Sequence, residues 1–139
     1  MNDRIFVDTN VLIYAHDQDA GKKHAVASKL VEELWENRLG VLSTQVLQEF
    51  YVNITKKIPK PIPKPVAAVY VERYFLWPVV RPSATTIRKG FEIERRDKLS
   101  FWDAMIVSAA FQAGAAKILS EDMNSGQIIA GITIVDPFA

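Results

Sequence analysis

Apolar residues along this chain fall into two patterns that take turns: short runs of two to four, and longer stretches spaced by three and four. Ile5-Phe6-Val7 reads as a strand closing at Asp8, and Thr9-Asn10 offers capping chemistry for a helix that starts with Val11-Leu12-Ile13-Tyr14. Ala25, Leu30, Val31 and Leu34 predict a helix over 22–37, with Gly40 suited to the turn after it. Val41-Leu42 reads as a second strand, and Ser43 or Thr44 as the cap of a helix through Val46, Phe50 and Ile54. Residues 58–65 carry prolines at 59, 61, 63 and 65, which remove backbone donors and predict a stiff extended connector. Beyond it the pattern predicts helices over 66–76, 84–96 and 100–113, and strands at 79–80, 118–119 and 132–135. Strands alternating with helices imply a three-layer α/β/α arrangement, a short and mainly parallel sheet covered on both faces.

With 139 residues and no internal repeat, the chain is expected to form a single domain over residues 1–139, large enough to bury on the order of 68 to 70% of its unfolded surface. It has no cysteine, so disulfides and thiolate metal sites are excluded. Any metal would be held by oxygen or imidazole, which favours magnesium or manganese over zinc. No apolar stretch reaches the roughly 18 residues of a membrane span, and no charged-then-apolar leader precedes the first strand, so a soluble, cytoplasmic protein is expected. The formal net charge of +1 conceals segregation: residues 1–52 and 99–139 each carry a net −3, and residues 53–98 carry a net +7. An acidic pocket beside a basic lip suits a metal-dependent enzyme acting on a polyanion, although a solvated basic surface would leave the same charge pattern.

Four acids sit where elements begin or end: Asp8, Glu49, Asp103 and Asp122. An ionised carboxylate beside a core is costly unless something cationic answers it. Glu49 lies just off the stripe formed by Val46, Phe50 and Ile54, where simple exposure would also explain it. Asp103 lies on a helix apolar nearly all round, where it follows Ser100 at capping-box spacing and would complement the positive helix end. Asp122 falls in a turn after the strand ending at Ser120, on the same rim as Asp8, the rim where open α/β sheets bind ligands. Two unit charges about 4 Å apart repel by about 4 kcal/mol at an effective dielectric of about 20, so these acids can share a pocket only by bridging cations or by protonation.

Laid out in order, Phe6-Val7-Asp8-Thr9-Asn10-Val11-Leu12-Ile13-Tyr14-Ala15, Gln48-Glu49-Phe50, Leu99-Ser100-Phe101-Trp102-Asp103-Ala104-Met105-Ile106, Leu119-Ser120-Glu121-Asp122-Met123 and Ile134-Val135-Asp136-Pro137-Phe138 resemble the PIN-domain nucleases, and within them the VapC-like toxins of toxin-antitoxin pairs. The resemblance implies a PIN-like fold and a metal-dependent endoribonuclease, with Asp8, Glu49, Asp103 and Asp122 holding Mg²⁺ or Mn²⁺. It also implies supporting roles for Asn10 and Ser120. Asn124 stands where some relatives carry another acid, which leaves one or two metals open. The implied chemistry is in-line attack of a metal-activated water on an RNA phosphodiester. An antitoxin protein that lays an apolar segment into a groove between the early helices and a homodimer are the implied partners.

Arg95, Arg96 and Lys98, just before the Asp103 helix, are candidate RNA-phosphate contacts, with a solvated helix end as the alternative. His16 and His24 are expected at the surface, since neither has a partner histidine at ligand spacing. Trp35, Trp77 and Trp102 read mainly as core or interface anchors. Lys117 precedes its strand and belongs to the opposite rim. An aspartyl-phosphate phosphatase would need an acid two residues after Asp8, where Asn10 stands. A housekeeping RNA-processing nuclease of the same fold remains an alternative, as does a silent binding module, although the latter would usually lack one of the four acids.

Overall fold

A computed structural model describes residues 3–139. Its six strands are β1 (Ile5–Val7), β2 (Gly40–Ser43), β3 (Val79–Val80), β4 (Lys117–Leu119), β5 (Ile128–Ile129) and β6 (Ile132–Val135). The six helices are α1 (Thr9–His16), α2 (Lys22–Asn37), α3 (Thr44–Lys56), α4 (Lys64–Tyr74), α5 (Ala84–Asp97) and α6 (Phe101–Gln112). The strands form one sheet in the order β3-β2-β1-β4-β6-β5, parallel throughout except for β5. The mainly parallel α/β architecture expected from the alternation is therefore present.

Strand order explains the layers. From β1 the chain moves outward to β2 and β3, then crosses back to β4 on the other side of β1. The right-handed rule for parallel crossovers puts α1 to α4 on one face and α5 with α6 on the other, in keeping with the packing of α1 on α2 and α3, of α3 on α4, and of α5 on α6. With both faces covered, β2 is buried at every position, and so are Phe6 and Val7 of β1. Helix α6 is buried continuously from Ala104 to Ala110, as an apolar surface on all sides requires. No helix among the described residues is long and apolar enough to cross a membrane.

Several boundaries differ from the sequence expectation for identifiable reasons. Asp8 ends no strand; it is the N-cap of α1, its side chain accepting from the Thr9 amide, so Thr9 and Asn10 are already helical. The proline connector is shorter than expected because α4 begins at Lys64 and takes Pro65 into its first turn, where no amide partner is lost. Strand β5 is an addition. It pairs antiparallel with β6 across a two-residue turn in which Ala130 and Gly131 have φ of 52° and 79°. Two left-handed residues in a row match the twist of a tight hairpin, but Ala in place of Asn or Asp disguises it in the sequence.

His16, expected at the surface, is instead half-buried against the rings of Phe50, Tyr70 and Tyr74, and its Nε2 lies 2.6 Å from the Tyr74 hydroxyl. Burial pushes its pKa down to about 4, so the ring is neutral and serves packing. His24 is also partly covered, its Nδ1 donating to the Tyr14 carbonyl at 2.9 Å. Trp35 and Trp77 do act as anchors, stacked and edge-on against Tyr74. Trp77 lies directly over Gly40, where an added Cβ would overlap the indole ring. A rigid ring cannot yield as a flexible chain can, so Gly40→Ala is expected to destabilise the protein by about 1 to 3 kcal/mol in denaturant titration. Gly90→Ala, which meets only the flexible Met105 side chain, should cost less.

Candidate active site

The point where strand order reverses lies between β1 and β4, and both strands deliver polar residues there. Asp8 follows β1 and is 6% exposed, while Ser120 follows β4 and is fully buried. The Ser120 hydroxyl donates to Asp8 Oδ2 at 2.8 Å, and the Thr9 amide donates to Oδ1 at 2.7 Å. Ser120 Oγ in turn accepts from the Asp122 amide at 3.3 Å, which ties the Asp122 turn to the same spot.

The remaining acids come from helices and the turn. Ser43 caps α3 by accepting from the Val46 amide, and two turns of helix carry Glu49 to the site, where Oε1 accepts from the Thr9 hydroxyl at 2.8 Å. Ser100 caps α6 by accepting from the Asp103 amide at 3.2 Å, which fixes Asp103 in the first turn. Asn10 donates to Asp122 Oδ2. The outcome is a small cleft of about 160 Å³ lined by Asp8, Asn10, Glu49, Asp103 and Asp122 together with Thr9, Gln45, Asn53, Trp102 and Ile106.

All four expected acids thus line one cleft. Of the expected supporting residues, Asn10 and Ser120 are bonded to them, while Asn124 lies on the exposed turn beyond and is not part of the lining. Arg95, Arg96 and Lys98 lie on the exposed end of α5, with Arg96 engaged by Glu92 at 3.6 Å and Asp97 at 3.1 Å. Lys117 opens β4 at the far rim. Trp102, read as a core or interface anchor, is 63% exposed at the cleft and so is no core anchor. Thr9, Gln45 and Asn53 were missed because a hydroxyl or amide on a helix carries no signal until the fold shows what it faces.

Electrostatics mark the cleft as a place short of positive charge. No Lys, Arg or His lines it. Burial raises the pKa of Asp8 to about 6, with the charges of Asp103 and Asp122 adding to the effect against the hydrogen bonds from Ser120 and Thr9. Asp122 is raised as well, chiefly by desolvation, then by Asp103 and Glu121, with Lys23 opposing. Lys23 itself is drawn to Glu121, which also accepts from Tyr14 Oη at 2.9 Å. An all-oxygen donor set suits a hard cation such as Mg²⁺ or Mn²⁺. Among the described residues, however, no three such side chains are gathered closely enough to hold an ion as they stand. Asp8, Glu49 and Asp122 accept from Ser120, Thr9 and Asn10 instead.

The family model of the PIN domain matches residues 5–127, and the chain belongs to the PIN-domain family. Among solved structures it shares its fold with a toxin-antitoxin complex from Klebsiella pneumoniae (19% identity, 97% of this chain and 98% of the other, TM-score 0.68). It is similar in the same way to DNA-bound VapBC from Salmonella typhimurium (18% identity, 97% and 98%, TM-score 0.67). A third similar structure is VapC20 of Mycobacterium tuberculosis, described as a Sarcin-Ricin loop cleaving toxin (21% identity, 85% and 89%, TM-score 0.62). No curated protein matches the sequence.

The raised Asp8 carboxyl has a consequence for stability. A group that binds its proton more tightly folded than unfolded favours the folded state at low pH, and that advantage is lost as pH rises through its folded pKa. In chelator, stability should therefore fall between about pH 4 and pH 6, by at most roughly 3 kcal/mol at about 1.4 kcal/mol per pH unit. Asp8→Asn should flatten that slope in denaturant titrations across the window. An equal slope in the variant would assign it to another group.

Proposed function

We propose that this protein is a divalent-metal-dependent endoribonuclease and the toxin of a toxin-antitoxin pair. The observation that carries this reading is the meeting of Asp8, Glu49, Asp103 and Asp122, from four separate elements, in one cleft without a cation among its lining residues. Membership of the PIN family and the fold shared with VapC toxins and VapBC complexes support it. Asp8, Glu49, Asp103 and Asp122 would hold Mg²⁺ or Mn²⁺. Bound there, the metal would activate water and offset charge on the phosphate and the leaving oxygen.

The chain's own residues prepare that event. Ser120 and the Thr9 amide fix both oxygens of Asp8, so its orientation is set before substrate arrives. The Thr9 hydroxyl aims Glu49, and Asn10 aims Asp122, each with a neutral donor that leaves the carboxylate free to carry negative charge. Without a cation the cleft repels phosphate. Arg95 and Lys98, exposed at the end of α5, are the better placed of the basic residues to hold an RNA backbone, because Arg96 is engaged by Glu92 and Asp97. An antitoxin would lay an apolar segment against Leu47, Tyr51, Val71 and Phe75, which line a groove of about 560 Å³ between α3 and α4.

The deciding experiment compares Ser100→Ala with Asp103→Asn in Mn²⁺-dependent RNA cleavage and in chelator-treated unfolding. Ser100→Ala should cost about 0.5 to 2 kcal/mol of stability and leave cleavage per folded molecule intact. Asp103→Asn should abolish cleavage while leaving stability without metal unchanged or higher, because one repelling charge has gone. Near wild-type cleavage by Asp103→Asn would remove the catalytic assignment.

Phosphate contacts have a separate signature. Replacing Arg95, Arg96 and Lys98 with alanine should flatten the salt dependence of RNA binding by about 0.7 of a unit of slope per lost contact on single strands. Arg95→Ala with Lys98→Ala should account for most of it. An unchanged slope would return these residues to solvent.

A further inference from the structure

Trp102 stands at the first turn of α6, lines the acidic cleft immediately beside Asp103, and leaves 63% of its surface in water. It does not stand alone. Its ring meets Phe101 edge-on at 5.1 Å, and Phe101 meets Phe91 of α5 at 5.8 Å, with Phe91 itself 52% exposed. One helical turn after Phe91 comes the exposed Arg95, and Lys98 ends that helix. An aromatic edge therefore runs from the cleft toward cations, with Phe91 and Trp102 exposed and Phe101 half-buried between them, although α6 buries its Ala104–Ala110 stretch without Trp102.

The cleft's chemistry says what such an edge is for. With carboxylates and no Lys, Arg or His in the lining, the cleft offers a polyanion no charge attraction of its own. Stacking depends on a base's π-face and not on its charge, and it needs a base that is free of its own helix. We propose that Trp102 and Phe91, with Phe101 between them, form a stacking surface for unpaired RNA bases, with Trp102 seating the base next to the carboxylates. This rests on the reading of the site as a ribonuclease. In this arrangement the aromatic edge supplies discrimination between unpaired and paired RNA, and Arg95 and Lys98 supply the charge-dependent part of binding.

The test titrates the full chain in chelator with a single-stranded oligouridylate of about 12 nucleotides, within the usual span of stacking surfaces, and with a blunt RNA duplex. Anisotropy of the end-labelled RNA and its salt dependence are read for wild type, Trp102→Phe and Trp102→Ala. Trp102→Ala is expected to lose on the order of tenfold in affinity for the single strand, with its salt slope unchanged, since no phosphate contact is removed. Trp102→Phe should keep most of the affinity, and duplex binding should be weak and alike in all three. Unchanged single-strand affinity in Trp102→Ala, or an equal loss for duplex, would overturn the proposal. So would a change in sedimentation with RNA binding intact, which would make the edge a protein contact. Cleavage in Mn²⁺ is measured in parallel: a wild type that binds through Trp102 but cleaves nothing would remove the nuclease reading alone, and cleavage with no role for Trp102 in binding would remove the stacking surface alone.

Discussion

Asp8 is held at the junction of β1 and β4, a carboxylate almost without solvent whose burial, with the charges of Asp103 and Asp122, raises its energy. Two neutral donors, the Ser120 hydroxyl and the Thr9 amide, make that position tenable. Much of the local structure follows from satisfying this one group. Ser120 must be buried beside it, which places the end of β4 against the end of β1 and brings the Asp122 turn along through its amide. Thr9 must start α1, and its hydroxyl then reaches Glu49 on α3. The residues that make a buried acid bearable, Ser120 and Thr9, thus also draw Asp122 and Glu49 toward it through further bonds, while Asp103 is brought by the capped start of α6.

The helices carrying those acids are kept in place from behind by aromatic packing. His16 at the end of α1 sits among Phe50 of α3 and Tyr70 and Tyr74 of α4, and Tyr74 passes the contact on to Trp35 and Trp77. A neutral imidazole serves there because a charged one would be desolvated with no acid to answer it. Gly40 completes the arrangement by leaving room for Trp77 against β2. Close packing of this kind transmits small displacements, so residues far from the cleft help hold its geometry.

Charge segregation along the chain becomes spatial separation in the fold. In the cleft Asp8, Glu49 and Asp122 are oriented by Ser120, Thr9 and Asn10, all neutral, whereas cations are engaged elsewhere: Lys23 by Glu121, Arg96 by Glu92 and Asp97. A lysine in the cleft would settle the repulsion permanently. Neutral donors leave it unresolved, as the proposed role of an added cation requires.

The alternation of strands and helices, a cap at Ser43 or Thr44, the cap at Ser100, and the four acids were legible in the sequence because each rests on spacing or on the chemistry of one residue type. The β1, β2, β4 and β6 assignments hold for the same reason: short apolar runs bounded by polar residues become buried parallel strands. The hairpin of β5 was not legible, since two residues carry no period and Ala130 adopts a left-handed conformation only because the pairing of Ile129 with Ile132 requires it. His16 left the surface expected of it, and Trp102 stayed out of the core, for a similar reason. Whether a large ring at a helix end faces the core or water depends on which neighbours arrive from α3, α4 and α5, and no local pattern records that. The acids could be named from the sequence, but their convergence in one cleft follows from strand order, which only the packing of the whole chain decided.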